Sequence, residues 1–200
     1  MDKDSYNIVR SHTTATYKDK GSKFIAYLFP VINEIEIKIK IAEIKKIEHS
    51  ARHYCYAYVL KTEKTSFRAS DDGEPSSSAG KPILGQINSN NLTNIIIIVV
   101  RYFGGVKLGI PGLIRAYKSA AAMAISKTDI IIKEGKENFE VSFSYSEINS
   151  VMRLVKKLNL EVLKTDFQIQ CKLIFAVQRR NANKTQINFK KHHKLSIKKI

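Results

Sequence analysis

The sequence reads as an α+β protein of two domains. Its 200 residues are 44% hydrophobic, enough for more than one domain of the usual ~100–150 residues. The run Ile95-Ile96-Ile97-Ile98-Val99-Val100 is too short and too β-branched for a helix. With no polar alternation, it predicts a strand covered on both faces. The last third reads strand, helix, strand, strand, helix, strand, which is the ferredoxin-like βαββαβ unit. Between the two patterns lies a polar stretch with a glycine, Lys133-Glu134-Gly135-Lys136-Glu137, which predicts domains over 1–134 and 135–200.

Each element has a local reason. Lys23 to Val31 reads as a strand, entered through a hairpin turn at Lys18-Asp19-Lys20-Gly21-Ser22 from an earlier strand around His12 to Tyr17. Ile35, Ile37, Ile39 and Ile41 alternate as a strand would, but Ile37, Ile41 and Ile44 keep helical spacing and Asn33 suits an N-cap, so a helix is expected over 34–48. Strands 53–60 and 66–70 follow, then a loop, then a short helix whose first turn accommodates Pro82 because the missing N–H is not needed there. Ile95 to Val100 is the expected central strand, and the Ala-rich segment Leu113 to Ser126 a long helix. Beyond the boundary, Phe139, Val141, Phe143 and Tyr145 alternate in a strand over 139–145. After it come helix 147–158, strands 160–167 and 169–177, helix 179–190 and strand 194–200.

Charge narrows the function classes. There are 34 Lys and Arg against 18 Asp and Glu, a formal net charge of +16, which points to a polyanionic partner, nucleic acid first and a membrane surface second. The abundance of Ile, Lys and Asn offers a plainer source for the excess in genome composition. Residues 1–134 carry a net +7 and residues 135–200 a net +9, so the smaller part holds more of it. Cys55 and Cys171 are too far apart in sequence to suggest a disulfide framework or a CxxC metal site, and the compartment reads as reducing. Met1-Asp2-Lys3-Asp4 lacks a secretory signal, and no apolar run approaches the ~20 residues that span a bilayer. The expectation is a cytoplasmic protein without a membrane partner.

Two clusters concentrate unusual residues. In Arg68-Ala69-Ser70-Asp71-Asp72-Gly73-Glu74-Pro75-Ser76-Ser77-Ser78-Ala79-Gly80-Lys81-Pro82, carboxylates, serines, glycines and prolines cannot form a core. One reading is a solvated turn that caps the next helix. The other is a binding loop, with the Ser78 to Gly80 amides at a helix N-terminus and Lys81 beside them making an anion site. The second cluster, Arg101 to Tyr117, joins the buried strand to a helix through four glycines, so that turn amides can approach an anion; a purely structural turn is the alternative. It is neither a Walker loop nor a dinucleotide fingerprint, since Ile110-Pro111 replaces the required Lys-Ser or Lys-Thr and GxGxxG is missing. Arg101, Lys107, Arg115 and Lys118 interleave with Tyr102, Phe103 and Tyr117, the mixture that pairs phosphates with charge and bases with stacking.

Signals for catalysis are weak. His53 and Cys55 are two apart on a strand and share a face, but a packed cysteine beside a strand histidine explains them as well as a thiolate pair. Asp71, Asp72 and Glu74 do not meet the EF-hand pattern, and the three serines lack a Gly-x-Ser-x-Gly elbow. No catalytic set, metal site or cofactor is expected.

Three segments in order resemble a known family. They are Ala51-Arg52-His53-Tyr54-Cys55-Tyr56-Ala57; Asp71-Asp72-Gly73-Glu74-Pro75 through Ala79-Gly80-Lys81-Pro82; and Val100-Arg101-Tyr102-Phe103-Gly104-Gly105 with Leu108-Gly109, Gly112-Leu113 and Ala116-Tyr117. Together they look like the signature of the IMPACT / YigZ family, in its bacterial two-domain form. Ser77-Ser78 and Pro111 depart from the Gly-Thr and Gly frequent there. The resemblance implies an N-terminal domain with the fold of the second domain of ribosomal small-subunit protein five, and a ferredoxin-like C-terminal domain. Both folds recur in elongation factor G at the end that meets ribosomal RNA. Its eukaryotic relatives are translation regulators that restrain a starvation-sensing kinase through protein binding, which adds a stress-response expectation.

The function expected is therefore a non-catalytic, translation-associated regulator that binds RNA, the ribosome or a ribosome-associated protein. The binding residues expected are Arg52; Arg68, Asp71, Asp72, Glu74 and Lys81 of the loop; and Arg101, Tyr102, Lys107 and Arg115 of the glycine turn and the helix after it. The rival is a hydrolase-like enzyme acting on a phosphorylated or peptide-like substrate in the same pocket, with the carboxylates as acid and base.

Overall fold

The computed structural model describes residues 5–200, and the chain divides into two compact units, Tyr6–Lys133 and a second built on Glu134–Ile200. In the first unit, a five-stranded antiparallel sheet runs β2-β3-β6-β4-β5. Its strands are β2 (Thr13–Asp19), β3 (Ser22–Pro30), β4 (His53–Leu60), β5 (Ser66–Ser70) and β6 (Ile95–Tyr102). The apolar run sits at the centre, and every residue from Ile95 to Val100 is 0% exposed. Strand alternation divides these side chains between two cores. Ile95, Ile97 and Val99 meet helices α2 (Gly80–Ser89) and α3 (Gly109–Ser126). Ile96, Ile98 and Val100 pack with Ile37 and Ile44 of α1 (Glu34–Ile47). Each such side chain contributes ~1.5–3 kcal/mol on burial, so the central strand anchors both layers.

The ambiguous 34–48 segment is a helix. Asn33 is extended and its side chain accepts from the Glu36 amide at 2.9 Å, while the Glu36 carboxylate accepts from the Ile32 amide, a reciprocal cap that a strand cannot use. Helix α3 begins at Gly109, four residues before the expected start. Pro111 falls in its first turn, where proline is tolerated. Two strands escape the sequence reading: β1 (Ser5–Val9) and β7 (Ile130–Glu134) pair as a two-stranded sheet. Neither has the alternation that marks a strand by itself. The polar stretch 133–137 falls at the division between the units but is mostly strand, since only Gly135 separates β7 from β8 (Lys136–Ser144).

The second unit follows as β8, a 3-10 turn (Tyr145–Glu147), α4 (Ile148–Lys157), β9 (Glu161–Phe167), β10 (Gln170–Gln178), α5 (Arg179–Lys190) and β11 (Ser196–Lys199). The sheet order is β11-β8-β10-β9, antiparallel throughout. Phe139, Phe175 and Phe189 stack in its core at 5.8 and 5.3 Å. Lys198 and Lys199 pair with Glu140 and Glu137 at 3.0 and 2.7 Å, so part of this unit's positive charge is matched internally. Among the described residues no helix is long and apolar enough to cross a membrane.

Replacing Asn33 with Ala removes the cap of α1 and is expected to lower stability by about 1 kcal/mol. Equilibrium urea unfolding measures it, and an unchanged midpoint would show that the cap contributes nothing.

Candidate functional site

In the Tyr6–Lys133 unit a cleft of about 690 Å³ opens where the ends of β4 and β6 meet the loop before α2 and the turn before α3. Its lining includes Arg52, His53, Glu74, Arg101, Phe103 and Lys107. Register builds its floor: Phe24 on β3, Arg101 on β6 and His53 on β4 lie opposite one another. The Arg101 guanidinium carbon sits 5.5 Å from the Phe24 ring centre and 5.6 Å from that of Phe103, a cation–π arrangement.

Arg101 is only 9% exposed, and a buried charge needs a partner. Glu74 supplies it: Arg101 Nη1 donates to its carboxylate oxygens at 2.7 and 3.1 Å. The Tyr117 hydroxyl donates to the same carboxylate at 2.8 Å. Arg101 is thus no open anion receptor, as its charge is matched from within, although its Nε has no hydrogen-bond partner.

The carboxylates of the loop have structural work. One Asp71 oxygen accepts from the Ala79 and Gly80 amides at 3.0 and 2.8 Å, and the other from the Ser77 amide at 2.8 Å. The anion expected at the N-terminus of α2 is therefore Asp71 itself, which corrects the reading of that helix end as an open site. Burial opposes ionisation of Asp71, but the amides of Gly80, Ser77 and Ala79 and the charge of Lys81 outweigh it and hold the carboxyl below its ordinary range. Asp72 accepts from the Tyr54 amide at 2.8 Å through its side chain, and its carbonyl oxygen lies 3.0 Å from His53 Nδ1. Gly80 permits this fold-back, since a Cβ there would lie 2.6 Å from the Ser70 nitrogen.

The glycine turn is likewise explained by packing. A Cβ on Gly104 would fall 1.9 Å from the Gly21 carbonyl carbon, and the Gly104 amide donates to Ser22 Oγ at 3.2 Å, so the turn is pinned to the β2–β3 hairpin. Behind it, Tyr102 and Tyr27 donate their hydroxyls to Glu48, and Tyr54 donates to the Glu48 carbonyl. The bond to Glu48, then burial, push the Tyr102 phenol up to about 12.

Of the ten expected binding residues, Arg52, Glu74, Arg101, Tyr102 and Lys107 line the cleft. Asp71 and Asp72 do not line it but bond the backbone of the loop that carries Glu74 and of β4, and Arg68, Lys81 and Arg115 are exposed and do not line it either. His53, set aside on sequence, does. Cys55 does not pair with His53: its Sγ is buried 2.9 Å from the Asp71 carbonyl and 3.3 Å from the Tyr117 hydroxyl. Burial chiefly, with Glu74, Asp72 and Asp71 adding to it and the Tyr117 bond opposing, pushes the thiol up to about 12, which leaves it protonated near neutrality. Among the described residues no group of three or more His, Cys, Asp or Glu is placed to hold a metal ion.

Two outcomes follow. Glu74→Ala strands the buried guanidinium and is expected to cost roughly 3–5 kcal/mol in chemical unfolding, with Glu74→Ala/Arg101→Met recovering a large part; a loss below 1 kcal/mol would remove the pair from the centre of the site. For Cys55 the folded pKa lies above the unfolded one, so its contribution to stability is complete below the unfolded value of 9.0 and disappears as pH rises through about 12. Unfolding free energy should fall more steeply above pH 9 in the wild type than in Cys55→Ala, and parallel pH curves would refute the assignment.

Residues 20–125 match the family model of the Impact N-terminal domain. An IMPACT family member of Haemophilus influenzae is 33% identical over 88% of this chain and 86% of its own length. YigZ of Escherichia coli, also an IMPACT family member, is 30% identical over 82% of each. The human Protein IMPACT is 38% identical over 46% of this chain and 29% of its own. A crystal structure described as that of a hypothetical protein superposes with a TM-score of 0.75 at 25% identity, over 98% of both chains. The chain with this cleft at the strand ends of its five-stranded sheet belongs to the IMPACT family.

Proposed function

We propose that this chain is a non-catalytic, translation-associated binding module of the cytoplasm, and that its cleft takes RNA, free or within the ribosome. The observation that carries the reading is Phe103, 59% exposed, beside Arg52 and Lys107 at the same cleft. An exposed ring offers a stacking face to any base, and flexible cations beside it suit the flanking phosphates. Val106 and Ile110 are half exposed next to it and extend an apolar surface along the rim.

Two domain assignments accompany the proposal. The order β11-β8-β10-β9 with α4 and α5 in the crossovers supports a ferredoxin-like second domain. The five-stranded sheet with α2 and α3 on one face is compatible with a fold like domain two of ribosomal small-subunit protein five. The enzymatic alternative has less support, because the three carboxylates it would use are engaged: Asp71 with amides, Asp72 with the Tyr54 amide, and Glu74 with Arg101 and Tyr117.

Fluorescence anisotropy with a short labelled oligoribonucleotide tests the proposal. Phe103→Ala should weaken binding about tenfold, the worth of one stacked base. Arg52→Ala/Lys107→Ala should weaken it further and reduce the salt slope by about two. Lys156→Ala/Lys157→Ala, which removes two exposed cations outside the cleft, is the control. Equal losses in the Arg52/Lys107 and Lys156/Lys157 variants would leave only diffuse charge and overturn the cleft as the site.

A further inference from the structure

His53 has a fixed ring and an unused nitrogen. It opens β4 directly opposite Arg101 of β6 and lines the cleft. Its Nδ1 lies 3.0 Å from the Asp72 carbonyl oxygen. A carbonyl oxygen only accepts, so Nδ1 must carry the hydrogen, and in the neutral ring Nε2 is then an acceptor with its lone pair free. No group among the described residues bonds Nε2. Gly73, at φ +87°, leaves the ring its room, since a Cβ there would stand 3.3 Å from Nδ1. Asp72, at φ +41°, is anchored through its own carboxylate to the Tyr54 amide. Strand, carbonyl and glycine together present one tautomer in one position.

What this nitrogen can recognise follows from its neighbours. Arg52 and Lys107 at the same cleft only donate, and the Glu74 carboxylate is occupied by Arg101 and Tyr117. The free Nε2 therefore calls for a donor on the ligand. Phosphate oxygens accept, so a nucleic acid offers two kinds of donor: base N–H groups, which vary with sequence, and the ribose 2′-hydroxyl, which recurs at every nucleotide. A cleft that holds its ligand through cations and a stacking ring does not select a base, which leaves the hydroxyl.

Resting on the reading of the cleft as an RNA site, we propose that His53 Nε2 accepts a hydrogen bond from a ribose 2′-hydroxyl, making His53 the residue by which this surface prefers RNA to DNA. The hydrogen bond adds no charge and leaves the phosphate contacts untouched, so discrimination and salt dependence separate.

The experiment compares three labelled oligouridines of one length: ribose, deoxyribose and 2′-O-methyl, the last keeping the RNA sugar pucker while losing the donor. Wild-type protein should bind the ribose strand about tenfold more tightly than either other strand, the worth of one hydrogen bond in a site. In His53→Ala the three should bind alike, near the wild-type affinity for DNA, with an unchanged salt slope; His53→Gln, which retains an acceptor, should recover part of the preference. The wild-type comparison stands even if a variant folds poorly. Equal binding of the ribose and 2′-O-methyl strands by wild type, or a full preference retained in folded His53→Ala, overturns the role of His53 and leaves the RNA reading intact. Failure to bind any strand overturns the RNA reading itself, and with it this inference.

Discussion

The buried pairing of Arg101 with Glu74 is the constraint on which the cleft end of the Tyr6–Lys133 unit depends. Arg101 lies one residue before the end of the most apolar strand of the protein, and strand alternation sends its side chain to the same face as Ile97 and Val99, into surroundings that will not hold an isolated charge. The carboxylate must come from elsewhere in the chain, and it comes from a loop 27 residues earlier. Bringing Glu74 there dictates the rest of the loop. Asp71 has to satisfy the amides at the start of α2 that have no partner within the helix, Gly80 has to lie against the Ser70 backbone, and Tyr117 has to rise from α3 to share the carboxylate.

The same requirement explains why the cleft has a bonded floor and an unengaged rim. Groups that are buried, such as Cys55, Glu74, Arg101 and Tyr117, are bonded to one another or to backbone. Those that remain available, Arg52, Phe103 and Lys107, are exposed at the edge. A pinned turn carries two of them, because Gly104 lies against Gly21 too closely for any side chain. A surface of this kind suits recognition, in which position matters more than reactivity. The overall charge of +16 says less than this placement does: Lys198 and Lys199 are spent on Glu140 and Glu137, while Arg52 and Lys107 face open solvent.

Most of the fold was legible because its elements announce themselves locally. The β-branched run of β6, the Asn33 cap of α1, the Ala-rich body of α3 and the alternation of Phe139, Val141 and Phe143 each encode one conformation within a few residues. The misses share a cause. β1 and β7 are short strands whose pairing partner lies more than 120 residues away along the chain, beyond the reach of any local pattern. The first turn of α3 was hidden by Gly109, Pro111 and Gly112, residues that discourage a helix interior but are tolerated at its start.

The family motifs drew attention to segments that fold around one cleft, and the sequence by itself determined which residues had to be close to a turn, a cap or a buried strand. Only the tertiary structure decided their roles. Asp71 and Asp72 became backbone ligands, Glu74 and Arg101 cancelled each other, and Arg68, Lys81 and Arg115 were left outside the cleft, while His53 entered it. The reason is physical: periodicity and capping act over a few residues, whereas the partner of a buried charge and the free nitrogen of a histidine are set by strand register and loop closure, which bring together groups that the sequence keeps far apart.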